Sequence, residues 1–244
     1  VVMGMKVELL RYTADPERLI AAAAKSCASK RTTTELLERL SDEKVSEIVR
    51  DVVDMGHLSV IEHAYFTFSI DGISRVTTHQ LVRHRIASYS QQSQRYVTLD
   101  EENFVIPPTI EKKEKAKNLY LEFVRKAKEA YEKLLEMGIP PEDARYVVPQ
   151  GITTHITVTM NARELLHFFR LRCCYKSQWE IRKLAWKMLK IVREIAPVLF
   201  HNAGPSCLSN GRCPEKKFPC PVKKLLERGK KSREEIEDFL ENTP

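Results

Sequence analysis

Two segments of this chain alternate with a period of two, and together they constrain what the rest can fold against. In EHAYFTFSID, Ala64, Phe66, Phe68 and Ile70 share one face, while Tyr65, Thr67 and Ser69 share the other. In GITTHITVTM, Ile152, Ile156, Val158 and Met160 suit the core side. Period two is the geometry of a pleated strand with one buried face. Such strands need partners for their backbone edges and a cover for their apolar face, which here must come from helices.

Helical signals surround both segments. After a short strand at 6–12, residues 16–26, 33–40 and 42–54 read as helices, the last stopping at Gly56. Asp71-Gly72 reads as a turn, and 73–85 as a helix on which Gln80, Arg83 and His84 share a face by i, i+3, i+4 spacing. The run 80–95 then passes from helix to loop. Residues 97–106 read as loop plus strand, halted by Pro107-Pro108. A long charged helix is expected over 109–137, ending at Gly138, and a short one containing Arg145 after Pro140-Pro141. Asn161 ends the second alternating strand or caps a helix over 162–174. A further helix, 178–200, carries an apolar stripe of Ile181, Leu184, Met188, Ile191, Ile195 and Val198. Past Gly204-Pro205 the chain turns cysteine- and proline-rich as far as Pro221, then becomes a charged helical tail. The expectation is an α+β fold: a single domain over 1–203 with a mostly antiparallel sheet flanked by helices, and a C-terminal extension over 204–244.

The chain is 43% hydrophobic and 30% charged, which suits a globular protein with a sizeable core. It has no run of about 18 apolar residues, so no membrane span is expected. The opening VVMGMKVELL has neither the basic nor the long apolar region of a signal peptide, and Met3 or Met5 is read as the start. A cytoplasmic protein with six unpaired cysteines follows as an expectation. The net charge of +7 favours anionic partners, either nucleic acid or phosphorylated small molecules. Over 111–136 and 223–237 the lysines mix with glutamates at helical spacing and read as solvated faces. The run RHRIASYSQQSQRY, residues 83–96, contains no acid at all. It supplies arginine forks and amide and hydroxyl groups suited to a phosphate or a heterocyclic amide edge. Its bland reading is a basic helix C-terminus favoured by the helix dipole.

A second basic cluster follows Asn161. Arg163, His167 and Arg170 fall on one helical face, and Asn161 and Arg172 on another. Their neighbours Leu165, Leu166, Phe168, Phe169 and Leu171 put most of that helix in the core, where arginines need partners.

These segments together resemble the flavin-dependent thymidylate synthases. RHRIASYSQQS matches that family's signature of Arg-His-Arg, seven residues, then Ser. GHLSVIEHAYFTFSI, QRY, ARYVVP, NARELLHFFRLR and QWEIR match its surroundings, so the resemblance covers about residues 6–203.

The resemblance implies methylation of dUMP to dTMP with methylenetetrahydrofolate as carbon donor, FAD as cofactor and NADPH as reductant. It also implies a homotetramer whose active sites are shared between subunits. By position, His57, Ser59, Arg83, His84, Arg85, Asn161, Arg163 and His167 match FAD contacts, with Gln91 near both ligands. Gln80, Arg83, Gln91, Gln92, Ser93, Gln94, Arg95, Arg145 and Arg172 match the dUMP pocket. Arg172 fits the electrophilic role, facing the pyrimidine amide. Two positions vary in the family: Asn or His occurs at His167, and many members carry an acid where this chain has Gln91.

Ser93 invites a nucleophile reading, but serine needs an adjacent base, and Gln91, Gln92, Gln94 and Arg95 supply none. It is therefore expected to donate a hydrogen bond to dUMP. Three rival readings stand beside this one. Tyr89 and Tyr96 among arginines suit a nucleic-acid module. His57, His63, His79 and His84 would be metal ligands, but HExxH and other familiar zinc spacings are absent. Cys220 would be the nucleophile of a folate-dependent synthase, but it lies in the tail. Cys207, Cys213 and Cys220 with His201 make a four-ligand set looser than zinc modules use. Packed thiols are the more economical reading, so no metal, nucleic acid or membrane partner is expected. Cys173 and Cys174 read as small core residues.

Overall fold

The two alternating segments pair with each other in the computed structural model, which describes residues 4–93, 104–215, 219–227 and 232–243. Strands β1 (Lys6–Tyr12), β2 (Tyr65–Ser74), β3 (Ala87–Gln91) and β4 (Thr153–Asn161) form one sheet in the order β1-β2-β4-β3. Every neighbouring pair is antiparallel. The register sets Phe66, Phe68 and Ile70 directly opposite Met160, Val158 and Ile156, and all six are buried. Facing apolar pairs of this kind are what pin a strand register. On the other face Thr67 and Thr159 hydroxyls meet at 2.9 Å.

Helices α1 (Pro16–Ser26), α2 (Thr33–Arg39) and α3 (Asp42–Asp54) follow β1, with α1 packed on both of the others. Thr32 and Glu35 cap α2 reciprocally, and Ser41 caps α3. Asp71-Gly72 does not turn the chain. Gly72 sits at φ 71° within β2, where the pairing with β4 shifts register between Ile70 and Ile73. A glycine in the left-handed region absorbs the extra residue of such a bulge.

Helix α4 (Arg75–Leu81) is shorter than the expected 73–85. The Tyr89 hydroxyl lies 2.9 Å from the Leu81 carbonyl and 2.7 Å from that of His84, so it donates into the helix exit. Arg83 and His84 therefore lie beyond the helix and share no helical face with Gln80. Residues 87–91, expected as loop, form the edge strand β3.

The long helix is two: α5 (Pro108–Glu111) and α6 (Glu114–Glu136), separated by Lys113 in an extended conformation. Gly138, at φ 82°, closes α6. Phe104, Val124, Tyr131, Ala144 and Ile152 form a small second core beneath α6. Then come α7 (Pro141–Ala144), a 3-10 turn over Arg145–Val147, and β4.

Asn161 both ends β4 and caps α8 (Ala162–Arg172), its carboxamide oxygen accepting from the Glu164 N–H at 2.9 Å. Helix α9 (Trp179–Ile195) buries Ile181, Leu184, Met188 and Val192 in the main core with Phe168 and Phe169 of α8. At its start the Glu180 carboxylate reaches across to the β2–α4 junction. It accepts from the Ser74 N–H at 2.7 Å, the Ser74 hydroxyl at 2.6 Å and the Thr77 hydroxyl at 2.7 Å.

The segment beyond residue 204 contains α10 (Ser206–Ser209), α11 (Pro221–Glu227) and α12 (Arg233–Asn242). Val222, Ile236 and Leu240 join the main core. Arg182 is 2% exposed and donates to the carbonyls of Leu240, Tyr175, Ser177 and Thr243, which ties α12 to α9. Among the described residues no helix is long and apolar enough to cross a membrane.

Candidate functional site

Helix α8 organises the site because its sequence interleaves apolar and ionisable residues. Leu165, Phe168 and Phe169 bury one side in the core and fix the helix against the sheet. The remaining positions aim Arg163, His167 and Arg170 into a cleft of about 960 Å³. Val53, Leu58, Ile86 and Leu166 give that cleft apolar walls, and Glu62, Asn161, Asn202 and Ser209 give it polar ones. Arg163 pairs with Glu62 at 2.5 Å, and Arg170 donates to His167 Nδ1 at 3.1 Å. Burial and the nearby cations of Arg170 and Arg172 hold His167 below its ordinary pKa, which favours the neutral ring.

The end of α8 meets the exit of α4. Arg172 Nε donates to His84 Nε2 at 3.0 Å, and Arg172 Nη2 donates to the Gln80 carbonyl at 3.2 Å. His84 is 4% exposed, and its Nδ1 lies 3.0 Å from Glu164 Oε1. Because Nε2 accepts from a guanidinium, Nδ1 must carry the proton and donate to Glu164. Burial, then the cation of Arg172 and the nearness of the His167 ring, lower the His84 pKa to about 4. The contact with Glu164 is thus a hydrogen bond from a neutral imidazole, and burial raises the Glu164 carboxyl as well. The His84 ring stands edge-on to Phe168, with centroids 4.9 Å apart.

The other residues singled out in the sequence fall in three places. His57 and Ser59 are exposed after α3, and Leu58 between them lines the cleft. Arg83 and Arg85 are exposed on the α4–β3 connection, where Ile86 reaches the same cleft. Gln91 closes β3 with its side-chain amide 3.3 Å from the Thr78 hydroxyl, and the Gln92 N–H donates to the His155 carbonyl at 3.0 Å. Ser93 follows, partly exposed. Arg145 donates to the Glu142 carbonyl at 3.0 Å, and burial, then the nearby Arg145 cation, lower the pKa of Arg75. Neither Arg145 nor Arg172 lines the cleft. Gln94 and Arg95 lie outside the described residues.

Glu164 is the participant the sequence reading missed. Its signal was a carboxylate between Ala162 and Leu165 on a helix whose flanks are buried, a place that demands a partner. The walls supplied by Asn202, Gly204 and Ser209 were missed because only the fold brings that segment against α8.

His84, Glu164 and His167 place three ligand-type atoms within 4.8 Å of one another. Both His84 nitrogens are engaged, one by a cationic guanidinium, and this disfavours a metal ion there. Of the four groups weighed near the tail, His201 faces the Val198 carbonyl at 2.7 Å and Asp54 at 3.6 Å. Cys174, expected as a core residue, is instead an electrostatic neighbour of Cys207, Cys213 and Cys220. Burial raises the thiols of Cys174 and Cys207, the latter to about 11, so both are protonated at neutral pH.

Comparison with known proteins bears on this arrangement. The family model described as "Thymidylate synthase complementing protein" matches residues 8–198. A flavin-dependent thymidylate synthase of Geobacter sulfurreducens is 50% identical over 218 residues, covering 88% of this chain and 94% of the relative. One from Pyrococcus furiosus is 44% identical over 240 residues, covering 94% of this chain and 98% of the relative. The crystal structure of a UMP/dUMP methylase, PolB, from Streptomyces cacaoi bound with 5-Br dUMP superposes with a TM-score of 0.74. It covers 81% of this chain and 94% of its own at 24% identity, a likeness of fold. With a family model spanning most of its length and full-length relatives at half identity, the chain belongs to the flavin-dependent thymidylate synthase family.

Proposed function

We propose that the protein converts dUMP to dTMP by reductive methylation, with methylenetetrahydrofolate as carbon donor, FAD as the flavin and NADPH as reductant. The observation that carries this reading is the fixed Arg172 guanidinium on the helix that sends Arg163, His167 and Arg170 into a cleft shared with Asp54, Glu62 and Glu164. The donor set of the cleft fits a flavin dinucleotide: Arg163, His167 and Arg170 suit phosphate, and Leu58, Ile86 and Leu166 offer apolar surface to a planar ring. FAD, when bound, supplies hydride chemistry that amino acids lack.

The chain's own residues position and polarise. Methylation at C5 of uracil requires electron density on that carbon. A guanidinium at the pyrimidine amide edge favours ionisation at N3 and stabilises the developing negative oxygen. Arg172 has two N–H groups committed to His84 and Gln80, and its planar fork keeps others for the pyrimidine. Gln80, Arg83, Gln91, Gln92, Ser93, Gln94, Arg95 and Arg145 hold the nucleotide. His57, Ser59, Arg83, Arg85, Gln91, Asn161, Arg163 and His167 hold the flavin; the resemblance counts His84 with them, but its ring is buried between Glu164 and Arg172 and acts behind them. Ser93 donates a hydrogen bond and is not a nucleophile.

Arg145 sits off the cleft that the α8 cations line, an arrangement that suits a homotetramer in which each site draws on more than one subunit. Residues 1–203 carry the chemistry on this reading, and the 204–244 extension braces α8 and α9 and adds Gly204 and Ser209 to the cleft wall. Purified protein is expected to be yellow, to release FAD on heating and to be bleached by NADPH. Colourless protein that takes up no added FAD would remove the proposal.

A further inference from the structure

We propose that Glu164 and His84 form a positioning pair that sets the direction of the Arg172 guanidinium through a neutral imidazole. This rests on the reading of Arg172 as the group that polarises the pyrimidine. The geometry is a chain of three side chains and one carbonyl. Glu164 accepts from His84 Nδ1 at 3.0 Å, His84 Nε2 accepts from Arg172 Nε at 3.0 Å, and the Gln80 carbonyl accepts from Arg172 Nη2 at 3.2 Å. Two acceptors on one edge of a planar fork fix both its position and its plane, which one contact could not do.

The surroundings hold this chain in a single state. Glu164 is anchored through its own N–H by Asn161, and Phe168 braces the His84 ring edge-on. The Tyr89 hydroxyl of β3 fixes the His84 carbonyl at 2.7 Å. The titratable or charged groups placed against His84 are Glu164, His167 and Arg172 of α8 and Tyr89 of β3. A protonated His84 would turn an N–H toward Arg172, place two cations in contact and release the fork, so the pair works only while the ring is neutral. His84 therefore acts on the pyrimidine through Arg172 and is a positioning residue, not a catalytic one.

The test compares His84→Phe with His84→Gln. Phenylalanine keeps the ring against Phe168 and removes both nitrogens, whereas a glutamine amide can donate to Glu164 and accept from Arg172. We expect His84→Phe to lower kcat by roughly 10- to 100-fold, the cost of a misplaced reacting partner. The bound flavin per chain should be unchanged, and His84→Gln should recover most of the rate. Loss of flavin from both variants would make His84 a direct flavin contact and overturn the proposal, as would a wild-type kcat for His84→Phe. If Arg172→Lys alone costs no turnover, the role of Arg172 falls and the pair's role with it. If Arg172→Lys is inactive while His84→Phe is not, the positioning pair alone is wrong. ¹⁵N-histidine NMR of the wild-type protein tests the geometry without turnover and without a variant that must fold. His84 should carry its proton on Nδ1 and stay neutral at pH 6, and its pKa should rise in Arg172→Leu. A proton on Nε2 would refute the inference.

Discussion

Glu180→Ala should be among the most damaging single changes in this protein. The carboxylate is 3% exposed and accepts three short hydrogen bonds from Ser74 and Thr77. Truncation removes a charge acceptor and strands a backbone N–H and two hydroxyls in a place water does not reach. Hydrogen bonds to a charged group are worth about 1.5–3 kcal/mol each, and a stranded buried donor costs about 1–3 kcal/mol. The two hydroxyls already lie 3.4 Å apart and can partly satisfy each other, so the three do not add in full. We expect a net loss of about 3–5 kcal/mol. At roughly 2–4 °C per kcal/mol for a chain of this size, the melting temperature should fall by about 6–20 °C. The same junction starts α4, whose Gln80 carbonyl holds Arg172, so dTMP formation should fall even at temperatures where the variant is folded. Differential scanning calorimetry beside a turnover assay checks both. A melting temperature within about 2 °C of wild type, with normal turnover, would refute the idea that this contact fixes the junction.

Ser93→Ala should still form dTMP, at a cost of roughly 5- to 150-fold for one lost hydrogen bond, measured by single-turnover product analysis at saturating dUMP. No dTMP from a folded, flavin-loaded variant would make Ser93 the nucleophile. If sites are shared between subunits as proposed, Arg145 and Arg172 variants that are inactive alone should regain part of the activity when co-expressed, because mixed assemblies would contain some intact sites. A strictly monomeric active enzyme would contradict this. His84 has a folded pKa of about 4 against an ordinary 6.5, so the unfolded chain takes up its proton first. Its contribution to stability is complete above about pH 6.5 and is lost as pH falls toward 4. Denaturant titrations should show wild type losing more stability across that window than His84→Gln, and equal slopes would contradict the buried neutral ring.

How much of this could be read beforehand depended on whether a residue's partner was local. The alternation around Phe66 and Val158 and the cap at Asn161 are local patterns, and β2, β4 and the start of α8 stand where those patterns put them. Residues 87–91 gave no such signal, because Ser88, Tyr89, Ser90 and Gln91 alternate without an apolar set, and only pairing with β4 makes them a strand. The end of α4 depends on a hydroxyl eight residues beyond it, which helix spacing cannot foresee. The break at Lys113 was hidden because lysine and glutamate fit a helix interior as well as a boundary. In the site, the basic residues of α8 were legible from one face of one helix. The Glu164–His84–Arg172 chain was not, since it joins positions 80 and more residues apart.

On the proposed function, the hydride which completes the methyl group comes from a flavin recharged by NADPH, with no enzyme nucleophile on the uracil. The source of the hydride fixes the oxidation state of the spent folate. If folate supplied the hydride it would leave as dihydrofolate, whereas a flavin hydride lets it leave as tetrahydrofolate. The direct measurement is anaerobic turnover of purified, FAD-loaded protein with dUMP, methylenetetrahydrofolate and NADPH, counting dTMP and both folates. One tetrahydrofolate and one NADP⁺ are expected for each dTMP, and no product once the flavin is stripped. Dihydrofolate formed in step with dTMP, without NADPH, would contradict it.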